Sequence, residues 1–463
     1  MKIISQLLCL LVVSVTAISN AAPAKPNIIV LLIDDMGYEC LGTDGCTSYK
    51  TPTIDKLAAT GVRFDYCYAQ PVCTPTRVQI MTGIYNVRNY IDFGAMDPKC
   101  VTFANILKQA GYATCIAGKW QLGEDLALPK HFGFDENCLW HHTRKGSRYM
   151  DPELDINGVA KNFTNKEYGP DIVSDYALDF IQRKKDQPFF LYYTMMLVHA
   201  PFDATPDSKD YGRKQPKGKK ATAPDRPDGT SQHFTDMVAY TDKLTGKLIA
   251  KLDQLGIREN TLLIILGDNG TQRGTVTYMG ARKFIGGKGL PTDAGMHVPL
   301  VVSWPAKAAV GKVSRDLVDS TDFLPTVCEA AGVPVPAELK IDGRSFLPQV
   351  RGEKGSPRDW YYSWYGAQKE KGITAEFAAT RDFKLSRDGE FFDLRKDIEE
   401  KNPLPVKSLT GEATAAAKLL QGVLHQYKNA RPAALAMPFV GHKAKGKGAH
   451  NVDDANKVDD NSL

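Results

Sequence analysis

Two apolar runs without polar interruption stand out along the chain. PNIIVLLIDD (26–35) and TLLIILGDNG (261–270) each place branched aliphatic residues at consecutive positions and end in acids. A strand exposed on one face alternates apolar and polar residues. One without alternation is buried on both faces, as in a parallel sheet. TPTIDKLAATG (51–61) predicts a short helix, with Thr51 placed to cap it, Pro52 at its first position and Gly61 to stop it. FANILKQAGYATCIAGKW (103–120) reads as helix, turn and strand, and YALDFIQRKKDQPFFLYYTMMLVHAP (176–201) repeats the pattern. SQHFTDMVAYTDKLTGKLIAKLDQLG (231–256) sets Leu244, Leu248, Leu252 and Leu255 on one helical face, and MHVPLVVSWP (296–305) supplies a further strand. Strands alternating with helices predict a doubly wound, mostly parallel α/β sheet.

The pattern changes near Arg344. FAATRDFKLSRDGEFFDLRKD (377–397) reads as short strands joined by turns, with a helix from about Gly411. This predicts an N-terminal α/β domain over 22–343 and a smaller α+β subdomain over 344–440. Residues 203–230 form a polar loop, and the Lys-, Asp- and Asn-rich stretch 441–463 predicts a disordered tail.

At the start, Lys2, an apolar run from Leu7 to Ile18, and then Ser19 and Ala21 have the form of an export signal over 1–21. The run is shorter than the ~20 residues a spanning helix takes. The expectation is a periplasmic or secreted protein, free of the membrane once the signal is removed. Cys9 leaves with the signal, so eight of nine cysteines remain, and export permits disulfides among them. A net charge of +5 is too modest to suggest nucleic acid as a partner, though it favours anionic substrates. Oligomeric state is not legible.

The chemistry gathers at strand ends. Asp34 and Asp35 close one buried strand; Asp268 and Asn269 close another. In open α/β sheets ligands bind beyond the carboxyl ends of the strands, so these four groups should meet at one edge. Adjacent carboxylates repel unless a cation lies between them. A donor set made only of oxygen suits calcium or magnesium rather than zinc.

Between the two pairs lies PVCTPTRVQIMTG (71–83). Its Cys-x-Pro-x-Arg core and its flanks through Thr82 and Gly83 resemble the signature of the type I sulfatases. GYATCIAGKW (111–120) resembles the second signature of that family, and the likeness runs from Pro26 to about Leu404. The resemblance implies an alkaline phosphatase-like fold and hydrolysis of sulfuric esters. It implies that a maturation enzyme oxidises Cys73 to formylglycine, and that one calcium ion is held by Asp34, Asp35, Asp268, Asn269 and modified residue 73. Arg77 would steady that residue. Lys119, His199 in VHAP and Lys288 in GGKG would surround the sulfate, with His199 or Lys288 protonating the leaving alcohol. Hydrated formylglycine would attack sulfur with one hydroxyl and expel sulfate through the other.

One position departs from the family. GKWQLG carries Gln121 where sulfatases usually have a histidine that takes a proton during sulfate release. Glutamine hydrogen-bonds but is no base near neutral pH. Two alternatives follow: a phosphonate or phosphodiester hydrolase of the same superfamily, and a degenerate protein that binds sulfated glycan without turnover. The expected substrate is a sulfated polysaccharide. Gln121, Trp140, His141, His142 and Arg144, with Arg148 nearby, are candidates to contact it, and the basic loop 209–220 could meet a polyanion.

Overall fold

A computed structural model describes residues 25–141, 147–213 and 225–441. The export signal, His142, Arg144, most of the basic loop and all but the first residue of the tail lie outside the described residues.

The main sheet has ten strands: β1 (Asn27–Ile33), β2 (Val62–Tyr68), β3 (Ala113–Trp120), β4 (Glu136–His141), β5 (Glu153–Ile156), β6 (Val159–Asn162), β7 (Phe189–Met195), β8 (Thr261–Gly267), β11 (Leu300–Ser303) and β12 (Lys312–Asp319). Between β8 and β11 in sequence, β9 (Val276–Met279) and β10 (Arg282–Ile285) form a separate hairpin. The order across the main sheet is β12-β2-β11-β8-β1-β7-β3-β4-β5-β6. The centre, from β8 through β1, β7 and β3 to β4, is parallel throughout. MHVPLVVSWP supplies β11, which runs antiparallel to both neighbours.

β1 shows why its run has no alternation. Ile28, Val30 and Leu32 enter one core with the helices Cys73–Thr82, Phe103–Gln109 and Phe323–Ala331. Ile29, Leu31 and Ile33 enter the other with Pro52–Thr60, Gly169–Lys184 and Gln232–Gln254. Successive strand side chains point to opposite faces, and both faces are covered. Leu244, Leu248 and Leu252 are buried as the helical period requires, and Leu255, past the helix end, is half-buried. Thr51 precedes its helix but makes no side-chain cap; its hydroxyl accepts from Gly42 N at 3.0 Å and donates to Asp55 at 3.1 Å.

Beyond the main sheet, β13 (Tyr361–Tyr365), β14 (Ala375–Ala379), β15 (Phe383–Ser386) and β16 (Phe391–Asp393) form an antiparallel sheet beside the helix Gly411–Tyr427. Tyr362, Trp364 and Leu420 of this part join the core on the Cys73–Thr82 face. Among the described residues every cysteine is a free thiol, and no helix is long and apolar enough to cross a membrane.

Candidate active site

The carboxyl ends of β1 and β8 lie side by side, in register from Asn27↔Thr261 to Ile33↔Gly267. Asp268 N donates to Ile33 O at 3.1 Å, and Asp35 N donates to Asp268 Oδ1 at 3.0 Å. Asp35 has φ +61°, a left-handed turn that aspartate tolerates better than most residues. Asp34 exchanges backbone bonds with the segment after β7, through Asp34 N to Leu197 O and Val198 N to Asp34 O. That pairing brings His199 to the same edge.

Cys73 opens the helix Cys73–Thr82, whose ten residues are all buried. Pro71 O accepts from Gly289 N at 2.7 Å, which ties the approach to this helix to the residue after Lys288. Lys119 is the next-to-last residue of β3 and follows Gly118, where φ is +123° and a Cβ would lie 1.7 Å from Thr194 O of β7. Glycine alone allows that approach.

The cations are paired with the acids. Arg77 donates from Nε and Nη2 to Asp268 Oδ2 at 3.2 and 2.9 Å, and from Nη1 to Lys119 O at 3.1 Å. Lys119 Nζ is 3.0 Å from Asp34 Oδ1 and 2.9 Å from Oδ2. Lys288 Nζ lies 3.0 Å from Asp35 Oδ2 and 2.9 Å from His199 Nε2. The Cys73 thiol donates to Gln121 Oε1.

Burial works against ionisation of Asp34, but Lys119, Arg77 and Arg148 overcome it and hold the carboxyl below the usual range. Burial raises Asp35, with Lys288 opposing and Asp34 reinforcing. Asp268 is pushed up to about 7 by burial and by Asp34, against Arg77. The Cys73 thiol is pushed up to about 11, chiefly by burial. His199 is held well below the ordinary histidine value by burial and then by Arg148, Lys288 and Lys119. Its Nδ1 faces Ala200 O, so Nδ1 carries the proton and Nε2 accepts from Lys288.

The structure brings together Asp34, Asp35, Cys73, Arg77, Lys119, Gln121, His199, Asp268, Asn269 and Lys288. Of the candidate sugar contacts, Gln121 faces Cys73, while Trp140 and His141 are buried on β4, opposite Lys119 and Trp120 of β3. Trp140 is buried at the end of β4, its ring 4.2 Å under the Arg148 guanidinium. His141, next along the strand, is buried with Nε2 3.5 Å from Asp155 Oδ2. Neither presents a ring to solvent, because β4 is an inner strand covered on both faces. Arg148 is a residue whose place here the sequence reading missed: Nη1 reaches Asp34 Oδ2 at 3.1 Å. Its basic, aromatic surroundings were the available signal, but they pointed to sugar rather than to a buried acid.

The donor set fits a hard cation. Asp34, Asp35, Asp268 and Asn269 are fully buried, and Asn269 Oδ1 has no hydrogen-bond partner among the described residues. Ligand atoms of Asp34, Cys73 and Asp268 lie within 4.8 Å of one another, as do those of Asp34, Asp35 and His199. Oxygen donors dominate, as calcium prefers.

A mostly parallel sheet ending in acids, opposite a helix that begins at the buried Cys73 and is ringed by cations, defines a hydrolase of anionic esters with an alkaline phosphatase-like fold. The sulfatase family model matches residues 26–333, and the model for the C-terminal part of N-sulphoglucosamine sulphohydrolase matches 287–426. The chain belongs to the sulfatase family and is a sulfuric ester hydrolase. It is 32% identical to N-acetylgalactosamine-6-sulfatase of Canis lupus familiaris over 394 residues, 76% of this chain and 71% of the relative. The structure of BT4656 in complex with its substrate D-glucosamine-2-N,6-O-disulfate superposes with a TM-score of 0.69 at 22% identity, covering 87% of this chain and 98% of that one. Phosphonate monoester hydrolase of Agrobacterium radiobacter shares the fold with a TM-score of 0.62 at 18% identity, covering 89% and 96%.

Proposed function

We propose that this sulfatase cleaves sulfate esters of a sulfated carbohydrate outside the cytoplasm, using formylglycine made from Cys73 by a maturation enzyme and one calcium ion. Catalysis is assigned to residues 22–343, with 344–440 as a supporting subdomain. The observation that carries the reading is the convergence of Asp34, Asp268 and Gln121 on residue 73, inside a ring formed by Arg77, Lys119, His199 and Lys288. The names of the dog relative and of the BT4656 substrate suggest a sulfated amino sugar, as found in glycosaminoglycans.

Calcium, held by Asp34, Asp35, Asp268, Asn269 and residue 73, would supply positive charge at the ester oxygens. Formylglycine, as its hydrate, would supply an oxygen nucleophile and a second hydroxyl for sulfate release. The chain's own groups do the rest. Arg77 fixes Asp268 and the Lys119 backbone, so the acids stay aimed at residue 73. Lys119 and Lys288 hold charge in a dry site, where preorganised cations act most strongly on a sulfuryl group. His199 rests neutral with Lys288 donating to it, so Lys288 holds the proton nearest a leaving alcohol. Gln121 orients the residue-73 side chain by accepting a hydrogen bond.

The test is mass spectrometry of the peptide carrying residue 73, in protein produced with a maturation enzyme, alongside turnover of sulfate, phosphate and phosphonate esters. The expected result is formylglycine at residue 73 and preference for sulfate. An unmodified thiol in active protein overturns the nucleophile. Faster turnover of phosphonate than of sulfate overturns the substrate class.

A further inference from the structure

Every cation described so far in the site has an acid beside it: Arg77 has Asp268, Lys119 and Arg148 have Asp34, and Lys288 has Asp35. Arg273 differs. It follows the Asp268–Asn269 pair by a few residues, in the loop that leads to the β9–β10 hairpin. It is half-buried, and its Nε is enclosed without a hydrogen-bond acceptor among the described residues. No carboxylate pairs with it among the described residues. Burial draws its pKa below the usual arginine range, and nearby Tyr365 only counteracts this in part.

Its position is fixed relative to the reacting groups. Thr271 O, two residues before it, accepts from Lys288 N at 2.9 Å, and Gly274 N, just after it, donates to Gly286 O at 3.1 Å. Arg273 Nη2 lies 3.6 Å from the point a Cβ would occupy on Gly289. Gly289 is bonded in turn to Pro71 O, two residues before Cys73. The guanidinium therefore rests on the segment that links Lys288 to the nucleophile position.

A partly desolvated guanidinium without a counter-charge is costly, and among the described residues no acceptor uses its fork of donors. The chemistry that would complete it is a planar or tetrahedral oxyanion, which arginine binds with two donors at once. We propose that Arg273 binds a second anionic group, a sulfate or a carboxylate, carried by the same substrate beside the ester under attack. This inference rests on the sulfatase reading above and adds a requirement on the substrate: one further negative charge close to the scissile sulfate.

The test compares three probes on matured enzyme: N-acetylglucosamine 6-sulfate, glucosamine-2-N,6-O-disulfate, and a uronyl–N-acetylgalactosamine 6-sulfate disaccharide. The wild-type enzyme should prefer at least one of the two probes with a second anion. Arg273→Gln should lower that preference about tenfold, mainly through KM, the scale of one charge-assisted hydrogen bond. Arg273→Lys should restore part of it. Loss confined to the disulfate assigns a sulfate as the second group; loss confined to the uronyl probe assigns a carboxylate. An unchanged preference overturns the inference and leaves the sulfatase reading standing. So does a uniform fall in kcat on all three probes, which would mark Arg273 as structural. If wild-type protein bearing formylglycine cleaves no sulfate ester, the sulfatase reading fails and the inference falls with it.

Discussion

The Cys73 thiol lies 2.6 Å from Gln121 Oε1, and both side chains are buried. Gln121 thus stands against the nucleophile position as an acceptor that cannot take a proton. We assign it the role of orienting the group at residue 73. We expect formylglycine-bearing enzyme to release alcohol from a chromogenic sulfate ester without a burst, because a neighbouring group or water serves as base. Gln121→His should then change kcat by less than about tenfold. Pre-steady-state kinetics reads this directly, and a burst that Gln121→His abolishes would show that the release step is impaired.

Asp268 carries two duties, as a proposed calcium ligand and as the partner of Arg77. Asp268→Ala removes the acceptor of two Arg77 bonds and leaves a buried guanidinium without its close partner. Loss of one member of a buried pair costs about 3–5 kcal/mol. We expect calcium content and turnover to vanish and the melting temperature to fall. Elemental analysis and thermal denaturation measure both, and full calcium occupancy in the variant would remove Asp268 from the ligand set.

Lys288 is expected to protonate the leaving alcohol. Lys288→Met should therefore slow esters of poorly acidic alcohols more than nitrophenyl sulfate, whose leaving group needs little protonation. Comparing kcat across leaving groups checks this, and an equal loss on all of them would assign Lys288 to charge alone.

Glu39 gives a pH-dependent stability away from the ligand set. It is 1% exposed, its Oε2 has no hydrogen-bond partner among the described residues, and burial raises its pKa from 4.5 to about 7. The raised folded value means the stability present below pH 4.5 is lost as pH climbs through 7, by at most about 3 kcal/mol. Glu39→Gln should match the wild type near pH 4.5 and exceed it in melting temperature above pH 7. A constant difference across that range would show that Glu39 does not titrate there.

The sequence by itself determined the sheet centre, because burial on both faces writes itself as continuous aliphatic runs in β1 and β8 and as the aromatic-rich run FFLYYTM in β7. It also marked the residues proposed here as metal acids and nucleophile, because those signals are local: each acid pair follows a strand, and Cys73 sits in a contiguous motif. The helix Cys73–Thr82 gave no amphipathic signal because all of it is buried, so only its motif marked it. Tertiary structure alone decided the rest. The direction of β11 depends on which strands it joins. Trp140 and His141 stood as candidate sugar contacts, and the cover over β4 buries both. Arg148 reaches Asp34 across 114 residues of sequence, and Arg273 meets Gly289 beside Lys288. Such encounters depend on how distant segments pack, and a local pattern of residues carries no record of them.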